Sequence, residues 1–318
     1  MRISVHKFGG VVLGIEAGFR NLCHHITNSR EKSVVIISAI GDTSSLLNRA
    51  ILLTEDNNYL EAKSILDKVF NFHKEFSKKI LSENNYSEFL NCLNSIILAA
   101  DNILKSVIIT QELTGRTYDR FLSLGEDLAI ALLKQYFINS ENVTFIDSRE
   151  IIITDNNFKS ANPIIEKSFT KIHQHLLPLF NNYSTVILQG YIGGTEEGIT
   201  TTMGFESSNL SATIIADSLD VKTLTIWSNV DGIYNADPNE FSDALLLKNI
   251  SYKSALKAGI SGLKLLYPEM LRIARSKNIT LIFRNGIYIS DNFTVINETK
   301  EENPLFIIKQ FIEINEVD

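Results

Sequence analysis

The chain has 318 residues, 44% hydrophobic and 21% charged, with a formal net charge of −7. That length suits one large α/β unit or two lobes around a cleft. The acidic balance argues against a nucleic acid or an anionic membrane as partner, because the average surface repels their phosphates.

Met1 leads directly into the strand-like run RISVHKF without an apolar signal region. No apolar run nears the ~18 residues of a membrane span. Residues 3 to 8 read as a strand ending in Gly9-Gly10, and the next stretch has helical spacing at Ile15, Phe19, Leu22 and Ile26. Residues 33 to 40 form a continuous apolar run ending at Gly41-Asp42. Strand, glycine turn, helix and strand open a parallel α/β sheet. From about 44 to 118 the texture is long amphipathic helix with no proline, which predicts a helical insertion in the N-terminal half. The alternation then resumes with a helix over 121–137, a strand over 143–147, a helix over 162–180 and a strand over 185–190. A flexible polar loop leads to a helix over 209–219 and a strand over 222–230. After the proline-marked turn YNADPNE come helices around YKSALKAG and over 264–275 and a strand over 279–285, and PLFIIKQFIEINEVD reads as a terminal strand or an open edge. The predicted fold class is α/β, an open, mainly parallel, doubly wound sheet whose ligands gather at the carboxyl ends of the strands. Two cysteines, Cys23 and Cys92, form no C-x-x-C pair, read as reduced thiols and favour the cytoplasm.

The unusual residues sit at those strand ends. Lys7 stands before Gly9 and Gly10, where a lysine neutralises phosphoryl charge while glycine backbone approaches phosphate oxygens; the bland alternative is a turn beside a solvated lysine. Ser38 and Thr43, around Gly41-Asp42, offer hydroxyls to a ligand or cap the following helix. Glu126, early on a helix, either complements the helix dipole or holds a substrate ammonium. Gly190-Tyr191 opens a loop through Thr200, Thr201, Thr202, Gly204 and Ser207-Ser208-Asn209 into a helix start, a ready anion site or an ordinary cap. The turn-rich segment from Ser228 and Asn229 through Tyr234 to Asp237-Pro238 either wraps an adenine or reverses the chain. His24-His25 and His173-x-His175 lack further ligands and read as solvated, and Trp227 reads as core.

In this order and spacing the elements resemble the catalytic domain of aspartate kinases, within the wider amino-acid kinase family. HKFGGVVLG is similar to K-F-G-G-T-S-V, SAIGDTS to S-A-S-A-G-x-T-N, and SLGEDLAIALL to S-x-G-E-x-L-S. QGYIGG followed by GITTTMGFESSNLSA resembles Q-G-F-I-G followed by G-x-T-T-T-L-G-R-G-G-S-D-Y-S-A, and IWSNVDGIYNADP resembles W-T-D-V-x-G-I-Y-T-x-D-P. GLKLLYP stands where that family has G-A-K-V-L-H-P. The resemblance implies a three-layer α/β/α sandwich in which residues 1–183 bind the acceptor and 184–318 the nucleotide. It implies transfer of the γ-phosphoryl group of ATP, with Mg²⁺, to a side-chain carboxylate, a group already ionised at neutral pH and in need of no general base. Lys7 would then stabilise the transferring group, with Gly9 and Gly10 as its cradle, and Lys264 would meet the nucleotide phosphates. Ser228, Asn229, Tyr234, Asp237 and Pro238 would line the ATP pocket, and Ser38, Thr43, Glu126, Tyr191 and Ser208 the acceptor pocket. The partner implied is a small carboxylate, and the resemblance allows a homodimer.

The departures concentrate in the acceptor pocket. Phe205 replaces the motif's arginine, which grips the α-carboxylate of aspartate in a bidentate pair that a phenyl ring cannot make. Glu206 and Ser207 replace two glycines, and Asn209 replaces an aspartate. Regulatory ACT domains, usual in aspartate kinases, are not expected after residue 318. The readings are a kinase acting on aspartate or a related small carboxylate, a non-catalytic homologue that keeps nucleotide binding or a scaffolding role, and a kinase of the carbamate, acetylglutamate or uridylate branches.

Overall fold

The computed structural model describes residues 2–29, 31–236, 238, 240–263 and 265–298. The chain opens with β1 (Ile3–Phe8), a short α1 (Gly10–Leu13), α2 (Glu16–Asn28) and β2 (Lys32–Ile37). Five of the six β2 residues are buried, as expected of a parallel strand covered on both faces. The predicted insertion is the run α3 (Thr43–Leu52), α4 (Tyr59–Ile80), α5 (Glu83–Thr110) and α6 (Gly115–Leu122). By length and composition α5 is apolar enough to cross a membrane, which a search for uninterrupted apolar runs passes over. One of its stripes, Phe89, Leu93, Ile97, Ala100, Leu104 and Val107, is buried in the core.

The expected helix over 121–137 divides at Ser123 into the end of α6 and α7 (Leu124–Tyr136). After β3 (Val143–Phe145) and α8 (Ser148–Ile151), the expected helix over 162–180 starts late, as α9 (Ile165–Lys171). It then widens into a π-helical turn, Ile172–Leu176, and tightens into a 3₁₀ segment, Leu177–Asn181. Pro178 has no N–H to donate back up the helix, which accounts for the change of winding. Next comes β4 (Thr185–Gln189), and the loop expected after it holds a small antiparallel hairpin, β5 (Ile192–Gly194) and β6 (Thr200–Thr202). The remainder is α10 (Ser208–Ser218), β7 (Thr223–Ser228), β8 (Asn249–Ser251), α11 (Tyr252–Ile260), α12 (Pro268–Ser276), β9 (Thr280–Asn285) and β10 (Phe293–Asn297). β8 and β10 have no counterpart in the sequence reading, and the segment from residue 304 onward lies outside the described residues.

The eight-stranded sheet has the order β3-β4-β2-β1-β7-β9-β10-β8, and only the β9–β10 pairing is antiparallel. β1 lies between β2 and β7, with Lys7 in register with Ile36 on one side and Ile226 on the other. The order reverses about β1, so the carboxyl ends of β1 and β7 flank a switch point. One core cluster packs Phe8, Val35 and Ile37 against α2, α4, α5 and α7, and the other packs Val5, Val34 and Ile36 against α10 and α12. Strand side chains alternate, so Lys7 shares the face of Val5 and points toward the layer of α10.

The turn after β1 is tight. Gly9 N–H donates to the Trp227 carbonyl at 3.0 Å, and Gly41 N–H donates to the Gly10 carbonyl at 2.8 Å. A Cβ at Gly10 would fall on the Ala39 carbonyl oxygen. Gly10→Ala is therefore expected to lower the unfolding free energy by about 1–3 kcal/mol, read as an earlier midpoint in denaturant titration. An unchanged midpoint would show that the turn yields freely.

Candidate functional site

Lys7 occupies the last turn-facing position of β1, and its Nζ lies 3.6 Å from where a Gly9 Cβ would stand. Glycine there leaves the ammonium its room. Burial pulls the Lys7 ammonium down to about 8, opposed by the charge of Glu206. Gly9 and Gly10 lead into α1, and the two strands beside β1 supply the neighbouring loops.

At the end of β2, Ser38 Oγ donates to Ser208 Oγ at 3.1 Å. This bond joins the β2 loop to the first residue of α10, which comes so near the end of β4 that a Cβ at Gly190 would lie 2.5 Å from Ser208 Cβ. In the first turn of α10, Asn209 N–H donates to the Glu206 carbonyl at 3.4 Å, and the N-cap, Ser207, makes no side-chain capping bond. Ala39 N–H donates to Glu126 Oε1 at 3.2 Å. Glu126, on the first turn of α7, is 1% exposed, and its Oε2 has no partner. Desolvation dominates there and lifts the carboxyl to about 8, against the opposing hydrogen bond from Ala39. Thr43 is buried, and its hydroxyl donates to the Ile40 carbonyl at 2.6 Å. It closes its own turn, while Asp42 holds the N-cap position of α3.

Tyr191 follows β4 with φ of +67° and is buried, its hydroxyl hydrogen-bonded with Thr202. Burial raises its phenol well above the usual range, with Glu126, Tyr118 and Asp119 adding to the rise. The Phe205 ring, half exposed, stands 6.2 Å from the Tyr191 ring. Gly204 and Glu206 both have positive φ, +87° and +68°. Glu206 thus holds a left-handed backbone that favours glycine, the residue the aspartate kinase motif has there. Asn209 is buried, with Nδ2 donating to the Leu265 carbonyl at 3.4 Å and Oδ1 unpartnered.

Seven buried side-chain polar atoms lack partners among the described residues, and three of them, Glu126 Oε2, Ser207 Oγ and Asn209 Oδ1, belong to the segments bonded together at the end of β2 and the start of α10. Such atoms are rare in folded proteins, because leaving them unpaired forfeits a hydrogen bond without return to water. Their concentration marks a place shaped for a polar ligand.

On the other flank, Ser228 ends β7, with its hydroxyl donating to the Val230 carbonyl at 2.8 Å. Asn229 and Pro238 are exposed, and Tyr234 is half-buried, in an isolated bridge with Leu246. Asp237 and Lys264 lie outside the described residues. The Leu265 carbonyl bonded by Asn209 belongs to the segment that follows Lys264.

Sequence reasoning passed over Asp119 on α6. It is fully buried and accepts hydrogen bonds from Thr202 N–H (2.9 Å), Thr202 Oγ1 (2.8 Å) and Lys159 N–H (2.9 and 3.1 Å). Its one sequence signal is an acid two helical turns before Glu126. One histidine expectation needs revision. His25 is packed rather than solvated, its ring 4.2 Å from His6 and 5.6 Å from Trp227. Burial lowers its basicity, and that of His6 to about 3. His173 is exposed but bonds the Ser218 carbonyl at 2.7 Å. Trp227 is half-buried against the core, stacked on Phe8 at 5.3 Å.

Doubly wound α/β topology, a lysine at the switch point and an uncapped helix start beside it define a phosphate-handling class of protein. The family model for the amino acid kinase family matches residues 2–285, and the chain belongs to that family. It is 28% identical over 302 residues to the maize (Zea mays) chloroplastic bifunctional aspartokinase/homoserine dehydrogenase 1, covering 92% of this chain and 32% of that protein. It is 28% identical over 268 residues to the aspartokinase of Chlamydia pneumoniae, covering 84% of this chain and 56% of that one. The chain thus spans between about a third and somewhat over half of these relatives. Escherichia coli aspartokinase III, solved with aspartate and ADP, shares the fold at a TM-score of 0.83 and 24% identity over 96% of this chain and 67% of that one.

The raised Glu126 carboxyl has a consequence for stability. Its folded value of about 8 exceeds the ordinary 4.5, so the folded state holds a proton that the unfolded state releases. Stability is full below about 4.5 and is lost as pH rises through about 8. In the ligand-free protein, Glu126→Gln is expected to abolish that part of the loss, on the order of a few kcal/mol between pH 5 and pH 9. Chemical denaturation at the two pH values checks it, and parallel pH dependence in variant and parent would remove the assignment.

Proposed function

We propose that the protein is an ATP-dependent phosphotransferase of aspartokinase type, moving the γ-phosphoryl group of Mg-ATP to the side-chain carboxylate of aspartate or a related small carboxylate. The observation that carries this reading is Lys7 at the end of β1, within electrostatic reach of Glu206 just before α10, together with unpartnered buried atoms on Glu126, Ser207 and Asn209 along the segments that the Ser38–Ser208 bond joins. Relatives named aspartokinase, and a shared fold with an aspartokinase solved with aspartate and ADP, support it.

The residues present fit the phosphate groups of a nucleotide. Gly9 leaves room beside the Lys7 ammonium, and α10 offers N–H donors. Among the described residues no group of three His, Cys, Asp or Glu side chains is arranged to hold a metal, so Mg²⁺ would enter with the phosphates and keep most of its water shell. Mg-ATP, when bound, supplies the phosphoryl group and part of the charge neutralisation.

In the transfer, an acceptor carboxylate oxygen forms a bond to the γ-phosphorus as the bond from that phosphorus to the bridging oxygen breaks. ADP leaves with the electron pair, and an acyl phosphate is formed. No proton moves. Lys7 offers its positive charge where negative charge accumulates, in a partly desolvated place where it acts strongly. Glu126, protonated near neutrality when the site is empty, ionises readily when an ammonium approaches Oε2. Tyr191 and Phe205 form an apolar wall opposite, and Asn209 Oδ1 and Ser207 Oγ remain to bond the ligand.

Lys7→Ala is expected to reduce acyl phosphate formation, trapped as hydroxamate, by about 100-fold or more, with the circular dichroism spectrum retained. The parent kcat/KM for Mg-ATP, which follows the ligand-free enzyme, should fall as pH rises through about 8, where the ammonium loses its proton. Unchanged turnover in the variant would take Lys7 out of the site.

A further inference from the structure

Phe205 leaves the acceptor side of the crevice without the cation that the aspartokinase motif has there, and Glu206 adds an acid beside it. A positive charge reaches this side from another loop. Lys159 lies between α8 and α9 with φ of +73°, a left-handed backbone that a side chain makes unfavourable by roughly 1–2 kcal/mol. The conformation is enforced, because its N–H donates to both oxygens of buried Asp119, at 2.9 and 3.1 Å. The same carboxylate takes the N–H and hydroxyl of Thr202, two residues before Gly204.

The Lys159 loop borders the turn that carries Phe205. The Ser160 hydroxyl and the Lys159 carbonyl lie 3.8 and 4.0 Å from the place of a Gly204 Cβ. The Lys159 ammonium stands 4.9 Å from the centre of the Tyr118 ring. Tyr118 in turn acts electrostatically on Tyr191, whose ring faces Phe205. Among the described residues Lys159 makes no ion pair through its side chain, in contrast to Arg149, which is bound by Asp127 and Asp147. The cation sits on an aromatic face above a strained, doubly bonded backbone, and its charge also acts on Asp119 beneath it.

We propose that Lys159 binds the carboxylate of the acceptor that does not react, so that the acceptor is an amino dicarboxylate with its ammonium at Glu126 and its second carboxylate at Lys159. The inference rests on the phosphotransferase reading and specifies its substrate class. It transfers the work of the missing arginine to a residue far from it in sequence. Lysine gives a point charge where arginine gives a bidentate fork, which suits a carboxylate approached from one side.

The test is titration calorimetry on the full chain with Mg-ADP present, comparing aspartate with its α-carboxamide, which lacks the second negative charge. The parent is expected to bind aspartate about 10- to 100-fold more tightly than the amide, the range of a charge-assisted hydrogen bond. Lys159→Gly keeps the N–H bonds to Asp119 and relieves the left-handed strain, so it is expected to fold at least as well. It should erase the preference to within about 3-fold while leaving the affinities for the amide and for Mg-ADP unchanged. Lys159→Arg should retain the preference. Equal weakening of both acids in Lys159→Gly, or no change in either, would overturn the proposal. So would a parent that binds Mg-ADP but shows no preference or takes up neither acid, which leaves nucleotide binding standing. Failure of the parent to bind Mg-ADP would instead overturn the phosphotransferase reading, and this inference with it.

Discussion

The carboxylate of Asp119 holds three separate pieces of chain at one point. It belongs to α6, it anchors the backbone of Lys159, and it takes two bonds from Thr202 at the end of β6. Burial raises its carboxyl, and the bonds from Thr202 and Lys159 work against that rise. The hairpin it secures has three residues in each strand, too few for independent stability. Besides Asp119, the hairpin is held by the Thr154–Thr201 hydroxyl pair at 2.7 Å and the Thr154 N–H bond to the Gly194 carbonyl at 2.9 Å. Tyr191 precedes the hairpin and Phe205 follows it, so the acceptor wall takes its position from this buried acid.

The charges of the crevice are balanced against burial. Lys7 and Glu126 are both pushed toward their neutral forms, to about 8 in each case, by loss of water. At neutral pH Glu126 is then protonated and uncharged while Lys7 keeps its proton, so the pair carries one buried charge rather than two. On the phosphotransferase reading, a ligand ammonium would ionise Glu126 and a phosphate would hold the proton on Lys7 more firmly. On the phosphotransferase reading, the unpartnered oxygens of Glu126, Ser207 and Asn209 would find their bonds with the ligand.

Much of this arrangement is legible in the sequence because glycine marks it. Gly9-Gly10, Gly41 and Gly190 sit at the ends of β1, β2 and β4, and the structure bonds Ser38, before Gly41, to Ser208, which packs against Gly190. Parallel strands are read easily, as their continuous apolar runs reflect burial on both faces. β10 is missed because its run FTVIN is only five residues long, is interrupted by Thr294 and follows an exposed, partly apolar turn. The β5–β6 hairpin is missed because Gly193, Gly194 and the threonines look like loop. Asp119 carries only its spacing from Glu126 as a signal, and Lys159 carries none. An acid on a helix and a lysine in an asparagine-rich loop are ordinary surface patterns, and only the fold brings one beneath the other. His25 is misread for the related reason that helical phase alone does not reveal what packs above it.

The chain contains a single tryptophan, and its setting makes it an optical probe of the crevice. The Trp227 carbonyl accepts the Gly9 N–H, Phe8 stacks on its ring, and the Arg284 guanidinium lies 5.0 Å from the ring centre. A shift of the Gly9-Gly10 turn therefore changes the polarity and quenching around the indole. Its emission reports movement of the Gly9-Gly10 turn without any label, from a fluorophore wired to that loop by one hydrogen bond.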